Sequence, residues 1–149
     1  MYLTQGLRRA QQIRPKGCST VFRDRRRTWT QTAERVRRIA GGLAATGVRS
    51  GDRVAILALN SDRYYELMYA IPWLGAAMVP VNTRLAAPEI QYILEDAGAC
   101  ALFIDGAMKG HLPLLAVAQY RVQLHSERHD YRTNPTSGIE RCGIPRCGA

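Results

Sequence analysis

The 149-residue sequence has no run of about 18 consecutive apolar residues, so nothing in it reads as a membrane span. Its start, MYLTQGLRRAQQIRPKG, lacks a continuous apolar stretch and a small-residue cleavage site, which excludes a recognisable secretory signal. That start is Arg-rich and acid-poor, a faint likeness to a transit peptide; the expected compartment is the cytoplasm. Cysteine is sparse. Cys18, Cys100, Cys142 and Cys147 form no CxxC, and without an export signal a disulfide framework is not expected. Only Lys16 and Lys109 are lysines. Three glycine signatures are missing as well. There is no GxGxxG for a dinucleotide, no GxxxxGK[ST] for a triphosphate, and no GxSxG elbow to present a nucleophilic serine.

What is abundant is arginine, unevenly placed. The net charge is +9, and residues 1–53 carry 13 Lys/Arg against 3 Asp/Glu, while the remainder carries 8 against 9. The peak is Arg23-Asp24-Arg25-Arg26-Arg27. One reading is a phosphate-binding patch, and with it a basic nucleic-acid binder built on the arginines of residues 8–38. The other is a solvated hairpin turn followed by the polar face of a helix. The second is expected, because no aromatic residues interleave with the arginines to stack bases.

Hydrophobic residues make up 46% of the chain, enough for a sizeable core in one domain. Residues 4–12 suit a short helix capped by Thr4. STVFRD (19–24) and RTWT (27–30) read as a strand pair around a charged turn. Thr30 then caps a helix whose stripe is Ala33, Val36, Ile39, Ala40, Leu43 and Ala44, with Arg35, Arg37 and Arg38 largely off it. Gly47 supplies a left-handed stop. Val54-Ala55-Ile56-Leu57-Ala58-Leu59 is apolar at every position, the mark of a parallel strand covered on both faces. Asn60-Ser61-Asp62 caps the next helix, which Pro72 should kink or end. The unit then repeats, with Pro88 in the first turn of a further helix. The spacing predicts parallel strands at 53–59, 76–81 and 100–104 and helices near 31–46, 62–75 and 88–97. The fold class is therefore α/β: a β-α-β-α-β parallel sheet, incomplete as it stands, with an N-terminal hairpin and helix. Residues 119–149 lack a sustained period and read as an irregular tail.

Few residues suggest chemistry. His125 and His129 would share a helix face, and Cys142 and Cys147 lie nearby. The cysteine spacing and the intervening Gly143 and Pro145 do not preorganise a zinc tetrahedron, so no metal site is expected. Glu95 and Asp96 are helix neighbours that do not face each other, and read as a polar helix end.

The ordered set GDRVAIL (51–57), the Asn-Ser-Asp helix start, VPVN (79–82), PEIQYILEDAGA (88–99) and LFID (102–105) resembles the N-terminal subdomain of the AMP-forming acyl-CoA synthetases. That superfamily comprises acyl-, aryl- and fatty-acid–CoA ligases, luciferases and peptide-synthetase adenylation domains; the pattern is most similar to the fatty-acyl branch. The resemblance implies a two-step reaction of a carboxylic or fatty acid with ATP, magnesium and coenzyme A, through an acyl-adenylate. It covers roughly residues 1–115, and the subdomain is assigned to residues 1–118. The superfamily's phosphate loop, of the type Thr-Ser-Gly-Thr-Thr-Gly-x-Pro-Lys-Gly, has no counterpart, since Thr136-Ser137-Gly138 continues as Ile139-Glu140-Arg141. No catalytic, cofactor-binding or metal-binding residue is therefore carried over, and no cofactor is expected on this chain alone. The chain reads as an inactive fragment, prone to self-association and binding no nucleic acid. A non-catalytic interaction module is the alternative. The Arg/His/Cys-rich tail is what an out-of-frame translation would give. A phosphate loop found in another frame past codon 116 would bear that out, and clean in-frame coding would sink it.

Overall fold

The computed structural model describes residues 3–116 and 120–125. Among these residues four helices, α1 (Thr4–Ile13), α2 (Trp29–Ala45), α3 (Asp62–Trp73) and α4 (Ala87–Asp96), accompany six strands: β1 (Cys18–Phe22), β2 (Arg25–Thr28), β3 (Arg53–Leu57), β4 (Ala77–Pro80), β5 (Ala101–Asp105) and β6 (Arg121–His125). A 3-10 segment, Gly106–Leu114, follows β5. β1 and β2 form an antiparallel hairpin with its own two-stranded sheet, and the others form a parallel sheet in the order β4-β3-β5-β6.

β3 sits in the middle because all of its apolar residues need cover. Val54 to Leu57 are fully buried. Val54 and Ile56 join Ala101 and Phe103 of β5 against α2 and α3, while Ala55 and Leu57 join Leu102 and Ile104 against α4. Successive side chains of a strand point to opposite faces, so the unbroken apolar run becomes two half-cores. β3 stops at Leu57, two residues before the sequence reading ended it. Its register with β4 ends at Ile56 opposite Pro80, where the Val81 N–H still donates to the Ile56 carbonyl at 2.9 Å; Pro80 is tolerated because its nitrogen lies on the outer edge of β4. Leu59, past the ladder, is 48% exposed.

Two helix starts differ from expectation. α2 is capped by Thr28 and not Thr30: the Gln31 N–H donates to Thr28 Oγ1 (3.2 Å) while the Thr28 N–H donates to Gln31 Oε1 (2.9 Å). This reciprocal box satisfies two orphan donors at once, so the helix starts earlier, and the Thr30 hydroxyl donates instead to the Pro15 carbonyl (3.1 Å). α1 begins without a side-chain cap, and Thr4 is a buried residue of its first turn. Pro72 lies next to the last residue of α3 and ends the helix, one of the two outcomes expected of it.

The fourth parallel strand is the larger difference. β6 pairs with β5 from Ala101–Arg121 to Asp105–His125, within the segment read as an irregular tail. Its sequence, Arg-Val-Gln-Leu-His, alternates polar and apolar over five residues, within the span of a strand signal, and the reading of the segment as irregular misses it.

Gly47, Gly75 and Gly98 follow α2, α3 and α4 with positive φ, as the stop signals require. At Gly75 (φ +76°) an added Cβ would lie 2.6 Å from Ser50 Oγ. Gly75→Ala should therefore destabilise the fold by about 1–2 kcal/mol through left-handed backbone strain alone, read as a lowered urea midpoint. An unchanged midpoint would mean that this turn is not held in the left-handed region.

Candidate functional site

The order β4-β3-β5 means that the chain leaves β3 towards one side and returns on the other. At such a reversal the loops leaving adjacent strands diverge, and the crevice beyond their carboxyl ends is where open α/β sheets take ligands. Here the loops are Leu59-Asn60-Ser61 after β3 and Asp105-Gly106-Ala107 after β5. With Phe22 and Arg23 from the hairpin tip they line a cleft of about 460 Å³. Arg23 holds a left-handed backbone, φ 54°, at that tip.

Two polar side chains of the cleft are engaged in capping. Ser61 caps α3, its Oγ accepting from the Tyr64 N–H at 3.1 Å. Asp105 Oδ1 accepts from the Ala107 N–H at 3.1 Å and caps the 3-10 segment.

Beneath the hairpin lies a network of five charged residues. Asp62 and Glu66, four apart on α3, share one helix face. Arg25 forks onto Asp62, Nη2 to Oδ1 at 2.8 Å and Nε to Oδ2 at 3.1 Å. Arg27 reaches both carboxylates, Asp62 Oδ2 at 3.1 Å and Glu66 Oε1 at 3.2 Å. Arg35 of α2 donates from Nε to Glu66 Oε1 at 2.5 Å. Both carboxylates are almost fully inaccessible. Burial works to raise the Asp62 carboxyl, but the hydrogen bonds and charges of Arg25 and Arg27 together outweigh it and hold it below its ordinary value of 3.8.

This corrects the reading of the arginines as a solvated surface. Arg23 and Arg26 are exposed, as expected, but Arg25 and Arg27 are turned inward and Arg35 is buried. The signal was present: arginines two apart on a strand share a face, as do carboxylates four apart on a helix. What it lacked was the tertiary fact that the two faces meet. Glu95 and Asp96 are exposed at the end of α4, a polar helix end as read. Lys109 is exposed on the 3-10 segment. His125 ends β6 in register with Asp105. His129, Cys142, Cys147 and Thr136-Ser137-Gly138 lie outside the described residues.

A family model described as AMP-binding enzyme matches residues 7–140 of this chain. The chain belongs to the AMP-binding enzyme family. Within that family it is 39% identical over 94 residues to the fatty acid–[acyl-carrier-protein] ligase ScoC of Streptomyces coeruleorubidus, a match covering 63% of this chain and 18% of that protein. It is 47% identical over 76 residues to the long-chain-fatty-acid–CoA ligase FadD13 of Mycobacterium tuberculosis, covering 51% and 15%. Among solved structures, the N-terminal domain of FACL13 from Mycobacterium tuberculosis superposes with a TM-score of 0.82 at 28% identity, over 100% of this chain and 39% of that one. O-succinylbenzoate coenzyme A synthetase (MenE) from Bacillus subtilis, in complex with ATP and magnesium, superposes with a TM-score of 0.72 at 28% identity, over 79% and 32%. The chain thus spans less than a fifth of the length of these curated relatives. The family match runs beyond residue 118, into the segment that lacks a sequence period.

Among the described residues the cleft's donor set does not fit the magnesium–ATP that the family implies. It offers one carboxylate, already capping a backbone N–H, one hydroxyl, likewise capping, one amide in Asn60, one glycine and one arginine. Among the described residues no group of three or more His, Cys, Asp or Glu side chains could hold a metal ion.

The depressed Asp62 value has a definite sign. A carboxyl whose folded value lies below its unfolded one contributes stability that is full above the unfolded value and is lost as pH falls through the folded value. Asp62→Asn should therefore lower stability near neutrality and flatten the acid limb below about pH 4, the ordinary carboxylate range. Chemical denaturation from pH 2 to pH 7 checks this, and parallel curves for both proteins would show that Asp62 gains nothing from its arginines.

Proposed function

We propose that these residues are part of the N-terminal subdomain of an ATP-dependent acid–thiol ligase. In the intact enzyme a carboxylate attacks the α-phosphate of ATP to give acyl-adenylate and pyrophosphate, and the coenzyme A thiol then takes the acyl group as AMP leaves. The observation that carries this reading is the family match over residues 7–140, on a parallel α/β sheet that superposes on synthetase structures. The named relatives point to carboxylic acids of the fatty or aromatic kind as substrates. We assign residues 1–118 to the subdomain and extend it through β6, whose ladder to β5 makes Arg121–His125 part of the same sheet. The cytoplasm is the compartment we assign; no helix among the described residues is long and apolar enough to cross a membrane.

In this reading the 149 residues are scaffold and do not catalyse adenylation on their own. That chemistry needs a backbone cradle and a cation aimed at the developing phosphoryl charge in a water-excluded cleft. Neither the sequence nor the donor set of the cleft supplies them. A nucleic-acid role gains no support, because Arg25, Arg27 and Arg35 are committed to Asp62 and Glu66. Self-association fits a sheet whose outer strands β4 and β6 each pair on one side only among the described residues, with Tyr92 67% and Leu114 69% exposed.

The test is pyrophosphate release from ATP with short, medium and long fatty acids and aromatic acids, plus magnesium and coenzyme A, on a preparation also run in sedimentation velocity. No carboxylate-dependent turnover and a concentration-dependent increase in mass are expected. Turnover that survives repurification, and is lost on a point change within residues 54–105, would overturn the scaffold reading. A compact monomer at high concentration would overturn the association.

A further inference from the structure

The hairpin is attached to the molecule in an unusual way. It shares no strand ladder with the parallel sheet. No residue from Cys18 to Thr28 belongs to the buried apolar core, and Val21 is 59% exposed. Its base is fixed by backbone bonds, from the Trp29 N–H to the Gly17 carbonyl and from the Thr30 N–H to the Pro15 carbonyl, each 3.1 Å. Away from that base, Arg25 and Arg27 join it to α3 through Asp62 and Glu66. Its tip, Phe22 and Arg23, forms one wall of the cleft.

We propose that the β1–β2 hairpin is an electrostatically latched strap, which swings off the cleft as a unit while the parallel sheet stays folded. The hairpin keeps its own ladder, from Cys18–Thr28 to Phe22–Arg25, so it moves without losing internal hydrogen bonds. Segments with few buried apolar contacts are those that open at a fraction of the global unfolding free energy. Buried ion pairs hold such a segment weakly, because desolvation offsets much of the attraction unless every polar atom is satisfied. Here Glu66 Oε2 is buried without a hydrogen-bond partner. Opening removes Phe22 and Arg23 from the cleft and leaves Asn60-Ser61 and Asp105-Gly106-Ala107 accessible from the hairpin side.

Limited trypsin digestion of the whole chain tests this, because the strap carries its own cleavage sites. Cleavage after Arg27, whose side chain the closed latch holds on Asp62 and Glu66, reports the hairpin, whereas the exposed Arg23 and Arg26 can be cut without opening; cleavage of the Arg53–Val54 bond, at the start of the central strand, reports opening of the sheet. When reclosing is fast, each rate follows the population of the open form. Asp62→Asn should raise hairpin cleavage at least tenfold while the Arg53–Val54 bond stays protected. Arg25→Gln, which takes away one of the two arginines on Asp62 and leaves Asp62 itself, should raise it by a smaller factor and serves if Asp62→Asn does not fold. Leu102→Ala, a cavity in the sheet core, should raise both cleavages together. If the latch variants also raise both together, or change neither, the hairpin is not a separately latched element and the proposal is wrong.

Discussion

Val54, Ala55, Ile56 and Leu57 are all inaccessible, two on each side of the sheet. A four-residue stretch with no solvent face needs strands on both edges and helices on both faces, and the rest of the architecture answers that need. β4 and β5 flank it, α2 and α3 cover one face, and α4 covers the other. Burying each large aliphatic side chain contributes about 1.5–3 kcal/mol, so moving β3 to an edge would forfeit most of what holds the layers together. The same constraint creates the cleft. A central strand whose successors lie on opposite sides has loops that part at its carboxyl end, whatever the loops contain.

The ion network solves a different problem. The hairpin and the amino end of α2 approach α3 with arginines, and α3 meets them with two carboxylates one turn apart. Asp62 and Glu66 could not be buried alone at acceptable cost; three guanidinium groups make their burial tolerable. The arrangement also explains why a chain with a net charge of +9 does not present all of its early arginines to solvent. The Arg53 guanidinium follows the same economy at the other end of the sheet, donating to the Ala97 and Gly98 carbonyls at 2.9 Å each and satisfying the open end of α4.

Membership of the AMP-binding enzyme family fixes the ancestry of the sheet, not the chemistry of these residues. The cleft at the carboxyl ends of β3 and β5 has its hydroxyl and carboxylate spent on capping the segments that lead away from it. It is a shaped surface whose one movable wall is the hairpin. The sequence contains no GxxxxGK[ST] or GxGxxG loop at this reversal.

The sequence by itself determined the elements and their order. Continuous apolarity from Val54 to Leu59 required a two-sided strand, three-to-four spacing required the helices, and glycines at 47, 75 and 98 required the stops; these are local signals, each readable within one turn or one strand. Caps were less legible, because Thr28 and Thr30 offer the same hydroxyl and only the partner Gln31 decides between them. Beyond the reach of local pattern lay the pairing of β6: its five-residue alternation is a strand signal, but only the open edge of β5 says where it pairs. The buried network lay beyond it too. Arg35 reads as polar surface on α2 until α3 packs across it and brings Glu66 within hydrogen-bond distance. Charge tells a sequence reader what needs a partner; only the packing of residues far apart along the chain supplies one.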